Sequence, residues 1–370
     1  MSFIPRVLLC FSLICPSLFA DKASDIAASL SDSGLAAQVL LTGIDGKQNL
    51  TPAMRALLER FPAGGIILFR YNLDTSRGEV KALLSEAAGI AAAKTGVPPF
   101  MAVDHEGGLV HRFGALAERL PSAFSFWELA QREGRAAALV RARTLYTRSA
   151  GEIKELGINM VLGPIAETLD EENRLFLETR SYGPDADFVR DTASVYVQSM
   201  GSAGIASVLK HFPGNTGADP HSAYSVMKDN KAALDEKARP FAGIISELRP
   251  AGIMLSHVMV PALDSRRNAS LSRAVIEDWL RGELGFKGIV IADDFSMGAV
   301  AATGLSHEDA AVEALNAGVD MIMVWPGNLA LVQSAILKAM REGRLSRERL
   351  LEAAGRIIRE KIRYGLVNEE

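Results

Sequence analysis

Eight short apolar runs, each four to six residues long, recur along the 370-residue chain, and they constrain its fold more than any other feature. They are Val39–Ile44, Gly65–Phe69, Phe100–Val103, Asn159–Gly163, Ala206–Lys210, Gly252–Ser256, Gly288–Asp293 and Asp320–Val324. Runs of Val, Ile, Leu and Met without polar alternation suit parallel strands covered on both faces. Helical patterns fill the intervals. Thr51-Pro52 supplies an N-cap and an N1 proline for a helix over Ala53–Arg60. Glu79–Lys94 and Phe126–Leu156 read as helices, and Ser306 with Asp309 caps Ala310–Asn316, which Gly318 ends. Helix, glycine, strand repeats at Gly157, Gly204 and Gly318. No composition shift or linker divides the chain. The pattern predicts an α/β fold, a (β/α)8 barrel forming one domain over residues 21–370. A doubly wound open sheet is the alternative. It would want a glycine-rich phosphate turn after its first strand, and Thr42-Gly43-Ile44-Asp45-Gly46 is not one.

Residues 1–20 differ from the rest. Arg6 precedes the apolar segment Val7–Cys15, and Ala20 offers a cleavage point, the layout of an export signal peptide. The segment is short for a membrane span, although an uncleaved leader would tether the protein. The only cysteines, Cys10 and Cys15, lie there, so a processed chain has no thiol chemistry, disulfide or cysteine-ligated zinc. The formal charge of -4 and the lack of a basic stripe argue against nucleic acid.

Ionisable residues end five of the eight runs: Asp104-His105-Glu106, Glu167, Lys210-His211, Ser256-His257 and Asp293-Asp294. In a barrel these tips share the C-terminal mouth, where active sites form. Asp293 and Asp294 point to opposite faces of an extended chain, so at most one aims into the site. Taken alone, the pair also fits scaffold work, with Asp294 capping a helix and Asp293 bound to a lysine. Asp219 and His221 share a face of the loop after the fifth run. A carboxylate beside an imidazole raises the ring's pKa and fits it for general acid work, although such pairs also occur without chemistry. Metal-capable side chains are present at Asp104, His105, Glu106, His111 and Asp293. There is no His-x-His at a strand end and no His-Glu-x-x-His, so neither metal nor other cofactor is expected.

The ordered motifs Gly64–Phe69, Val103-Asp104-His105-Glu106-Gly107-Gly108 with Arg112-Phe113, Thr179-Arg180-Ser181-Tyr182-Gly183, Lys210-His211-Phe212-Pro213-Gly214 and Ile291-Ala292-Asp293-Asp294-Phe295-Ser296-Met297 give the chain a likeness. It resembles glycoside hydrolase family 3, and within it the single-domain β-N-acetylhexosaminidases of peptidoglycan turnover. The resemblance implies a retaining exo-β-N-acetylglucosaminidase acting on peptidoglycan fragments or chitooligosaccharides. It assigns Asp293 as nucleophile and His221, backed by Asp219, as acid/base. Asp104, Arg112, Arg180, Lys210 and His211 would hold the sugar, with Met297 lining the pocket. Lys210 and Arg180 near Asp293 would keep it ionised. A monomer is expected.

The chain departs from the family pattern in places. Asn215-Thr216-Gly217-Ala218 replaces the usual His-Gly-Asp in a loop two residues shorter, Glu167 replaces an aspartate, and Leu109 replaces an arginine. An exported leader also departs from cytoplasmic members. The resemblance leaves open β-glucosidase or phosphorolytic activity, and the shortened loop leaves open a non-catalytic sugar-binding barrel.

Overall fold

The computed structural model describes residues 16–217, 225–295 and 303–368. All eight apolar runs become strands, which lie in chain order around a closed parallel barrel. We number them β1 (Leu40–Gly43), β2 (Gly65–Leu68), β3 (Phe100–Asp104), β4 (Met160–Ile165), β5 (Ala206–Phe212), β6 (Gly252–Leu255), β7 (Ile289–Ala292) and β8 (Met321–Val324). β8 closes on β1, with Leu40 opposite Ile322 and Thr42 opposite Val324. Apart from the partly exposed Asp104, every residue of these strands is buried. One face fills the barrel and the other meets the helices, which is why the runs carry no alternation. The expected (β/α)8 architecture is the observed one.

Local chemistry sets the helix ends. Thr51 Oγ1 accepts the Met54 N–H at 3.2 Å to start Pro52–Arg60. Ser306 Oγ accepts the Asp309 N–H at 3.0 Å to start His307–Ala317. Gly157, Gly204 and Gly318 turn out of their helices with φ of 96°, 69° and 117°, a region a side chain disfavours. The helix expected over Glu79–Lys94 spans Arg77–Thr95.

The single helix expected over Phe126–Leu156 is two, Ala123–Glu133 and Arg135–Lys154. Gly134 separates them with φ 91° and ψ 154°, a conformation that cannot carry the helical hydrogen-bond ladder forward. Two further elements escape an apolar-run reading. Met259–Val260 pairs antiparallel with Asp264–Asn268, whose Asp-Ser-Arg-Arg-Asn sequence is largely exposed, and Ala274–Glu283 is a π-helix. The cleavage point expected after Ala20 falls inside a helix, Pro16–Ser29, that packs on Arg347–Arg363.

The N-terminal end of the barrel is secured by one carboxylate. Asp320, fully buried just before β8, accepts hydrogen bonds from Arg281 at 2.5 Å, Arg349 at 3.0 Å and Arg356 at 2.9 Å. It also takes the Val290 N–H at 3.0 Å. Burial alone would raise its pKa, but the three guanidiniums outweigh that and hold it below the usual range. Removing one member of such a buried network strands its partners. Asp320→Ala is therefore expected to cost about 3–5 kcal/mol in urea unfolding, and a loss below about 1 kcal/mol would contradict this role.

Candidate active site

Period-two alternation past the end of β3 sorts Asp104, His105 and Glu106. Asp104 and Glu106 turn to one side, where both grip Lys210 of β5. Lys210 Nζ lies 2.9 Å from Asp104 Oδ1 and 2.7 Å from Glu106 Oε1. Arg180 Nε and Nη2 donate to Glu106 Oε2 and Oε1 at 2.8 and 3.0 Å, a bidentate pairing. Arg112 Nη2 donates to Asp104 Oδ2 at 3.3 Å. His105 turns the other way, with Nε2 2.7 Å from Ser149 Oγ on a surrounding helix. The chain then reverses at Gly107, whose φ of 93° and 2.3 Å clearance between a notional Cβ and Pro121 O admit only glycine.

Burial works against the charges of Asp104, Glu106, Lys210 and Arg180, and the neighbours overcome it. Burial would raise the pKa of Asp104, but Lys210 and Arg112 hold it below its ordinary value. Lys210 and Arg180 do the same for Glu106. Burial would lower Lys210, but Asp104 and Glu106 raise it. Asp104, Glu106 and Lys210 are therefore ionised at neutral pH.

Glu167, just past β4, organises the end of β5. Its Oε1 lies 2.7 Å from His211 Nδ1 and accepts the His211 N–H at 3.1 Å. Its Oε2 accepts the Asn215 N–H at 2.7 Å, and Asn215 Nδ2 donates to both oxygens at 3.0 and 3.2 Å. Ser256, just past β6, donates to the Gly214 carbonyl at 2.8 Å. The turn carrying Lys210 and His211 into the following loop is thus held from two neighbouring strands.

Past β7, Asp293 Oδ1 accepts the Asp294 N–H at 2.8 Å. Asp294 Oδ2 accepts the Trp325 indole N–H at 2.5 Å, and its carbonyl lies 3.2 Å from His257 Nε2. His257 Nδ1 contacts Ser270 Oγ at 2.7 Å. Asp294 is thereby fixed to β8 and β6, consistent with only one of the two carboxylates being available to a ligand.

Of the expected site residues, the structure places Asp104, Arg112, Arg180 and Lys210 at the C-terminal mouth in one connected charge cluster, with His211 beside it on Glu167 and Asp293 past the end of β7 on the same rim. Asp219, His221 and Met297 lie outside the described residues. The expectation that Lys210 and Arg180 serve Asp293 is corrected. Among the described residues their ion pairs go to Asp104 and Glu106, because Glu106 leaves the β3 tip on the same side as Asp104 and meets them first. Glu106 and Glu167 are two carboxylates at the mouth whose contacts the sequence did not disclose. The signal was there: each is an acid just beyond an apolar strand, and each is almost completely buried.

Comparison with known proteins bears on the same constellation. The glycosyl hydrolase family 3 N terminal domain matches residues 36–360. A Beta-hexosaminidase of Thioalkalivibrio sulfidiphilus is 34% identical over 281 residues, covering 74% of this chain and 77% of that protein. Another, from Idiomarina loihiensis, is 33% identical over 297 residues, covering 80% and 86%. A glycoside hydrolase family 3 beta-N-acetylglucosaminidase from Paenibacillus sp. superposes with a TM-score of 0.85 at 30% identity, covering 92% of this chain and 64% of that one. This chain therefore spans just under two thirds of that protein's length. NagZ from Neisseria gonorrhoeae in complex with N-trifluoroacetyl-D-glucosamine superposes with a TM-score of 0.72 at 26% identity, covering 87% and 89%.

Burial, helped by His111, pushes the His105 imidazole down to about 3 despite nearby Glu106. The unfolded ring titrates near 6.5, so between these values the unfolded chain binds more protons. The stability linked to His105 is complete above about pH 6.5 and is lost as pH falls toward 3. In wild type this linkage contributes up to about 1.4 kcal/mol per pH unit. His105→Gln is expected to flatten the stability profile over roughly pH 5–6.5, where carboxylates contribute little. An unchanged slope in urea titrations would contradict it.

Proposed function

Because the chain belongs to glycosyl hydrolase family 3, it is a glycoside hydrolase acting on O-glycosyl bonds of a carbohydrate substrate, and we propose that it works as a retaining exo-β-N-acetylglucosaminidase. One observation carries the reading: a buried, ionised cluster of Asp104, Glu106, Lys210, Arg112 and Arg180 shares the barrel mouth with Asp293. Charged donors and acceptors converging on a concave site suit a ligand gripped through hydroxyls and an amide. The name beta-hexosaminidase among the relatives supports a terminal N-acetylhexosamine as the sugar released.

In the proposed reaction, Asp293 attacks the anomeric carbon as the bond to the leaving oxygen breaks. His221, oriented by Asp219, gives that oxygen its proton, leaving a glycosyl ester on Asp293 and a free alcohol. Water then attacks the same carbon, His221 takes its proton, and Asp293 departs as carboxylate with the configuration retained. Asp104, Arg112, Arg180, Lys210 and His211 hold the sugar in place, and Met297 lines the pocket. Glu106 is a positioning residue, since it acts through Lys210 and Arg180. A histidine acid also avoids two carboxylates about 5 Å apart, the separation usual in retaining enzymes.

The leader-like segment before Asp21 supports export, with the barrel as a single, monomeric catalytic domain. Peptidoglycan fragments or chitooligosaccharides fit as substrates in that compartment. Asp293→Ala is expected to abolish release of N-acetylglucosamine from chitobiose, and turnover near wild type would rule out Asp293 as the nucleophile. For His221→Ala, aryl N-acetylglucosaminides provide the measurement. The loss in kcat/KM should reach about 10²–10⁴ with poor leaving groups and be far smaller with nitrophenolates. Equal losses across the series would remove His221 from the acid's role.

A further inference from the structure

Beside the charge cluster, the rim of the barrel carries three aromatic rings from two loops. Phe69 ends the apolar run of β2, Tyr71 follows it, and Trp325 comes just after β8. The Phe69 and Trp325 rings stack with centroids 4.8 Å apart and planes 17° apart. Phe69 and Tyr71 are 6.0 Å apart and 11° from parallel. The row is fixed from behind, because the Tyr71 hydroxyl donates to the Ile44 carbonyl at 3.1 Å and Asn72 Oδ1 accepts the Phe69 N–H at 3.0 Å. Yet Tyr71 and Trp325 stay 41% and 38% exposed, unusual for large aromatic rings held this rigidly.

These rings, with Arg70, Asp74 and Arg112, line an open cleft of about 630 Å³, a volume typical of small-molecule sites. Two contacts join the cleft to the reaction centre. Arg112 donates to Asp104, and the Trp325 indole N–H donates to Asp294, the neighbour of Asp293. The cleft therefore adjoins both Asp104 and the Asp293-Asp294 tip. In an exo-acting enzyme, the part of the substrate that extends outward is the leaving group.

We propose that Phe69, Tyr71 and Trp325 form a stacking platform for the sugar ring on the leaving-group side of the scissile bond, with Arg70 and Arg112 at its edge as hydrogen-bond donors to that ring. The inference rests on the exo-glycosidase reading and deepens it, by assigning the enzyme a saccharide leaving group. The C–H face of a pyranose carries partial positive charge and complements the electron-rich face of an aromatic ring. Among the described residues, the single hydrogen bond of Arg112 is the 3.3 Å contact to Asp104, so its remaining donors suit ring hydroxyls.

The test compares two substrates on each purified variant: chitobiose, which has a sugar leaving group, and N-acetyl-β-glucosaminyl fluoride, which has none. The readout is the ratio of their kcat/KM values, which cancels any difference in the folded fraction. Tyr71→Ala and Trp325→Ala should each lower that ratio about five- to tenfold, the worth of one aromatic contact. Tyr71→Phe and Trp325→Phe keep a ring and should hold it within about twofold. Unchanged ratios in the alanine variants would overturn the platform. So would a Trp325→Phe effect as large as that of Trp325→Ala, which would assign Trp325 to the Asp294 hydrogen bond alone. A wild-type enzyme that cleaves both substrates while the variants show no ratio change thus refutes only the platform. A wild type that cleaves neither refutes the exo-glycosidase reading, and the platform falls with it.

Discussion

The Lys210 ammonium, almost wholly buried, sits between Asp104 and Glu106, and the rest of the site is arranged around that contact. An isolated buried ammonium would lose its proton, and isolated buried carboxylates would gain one. Here β3 delivers two acids on one face and β5 delivers the base across β4, so each group keeps the others charged. Arg180 and Arg112 extend the network at its two ends. Three cations face two carboxylates, which leaves hydrogen-bond donors for a hydroxyl-rich ligand. The same coupling makes the core of the cluster intolerant of loss, since removing Lys210 or Glu106 takes a partner from a charge that is almost wholly buried.

The opposite end of the barrel uses similar chemistry for another purpose. Asp320 gathers Arg281, Arg349 and Arg356 where β8 begins, tying β8 to the surrounding helices. In this architecture the N-terminal face carries stability and the C-terminal face carries function. The two buried networks follow that division. Asp320 is saturated by protein partners, whereas the upper cluster opens toward Asp293 and the aromatic rim.

The barrel was legible because a strand buried on both faces must be apolar throughout, and eight such runs leave few arrangements. Helix starts at Thr51 and Ser306 were legible because their side chains perform the capping that their residue types announce. The break at Gly134 was not, since a lone glycine inside a helical pattern is commonly tolerated and only its extended conformation splits the helix. Nor was the Met259–Val260 and Asp264–Asn268 pair, whose outer strand faces solvent and carries no apolar run. At the site, residue type and position picked out Asp104, Lys210 and Asp293, and the family resemblance added Arg180. They could not reveal that Glu106 is the shared partner of Lys210 and Arg180, or that Glu167 anchors His211 and Asn215. Those roles depend on contacts between strands far apart in sequence. Asp219 and His221 rest on the sequence and the family resemblance alone.

The proposed mechanism turns on which side chain becomes covalently glycosylated. Incubation with a mechanism-based fluorinated N-acetylhexosamine, followed by proteolysis and mass spectrometry, reads that identity directly. One stoichiometric adduct is expected on the peptide containing Ile291–Phe295, with fragmentation placing the sugar on Asp293. An adduct on Asp294, Glu106 or any other side chain would contradict the mechanism.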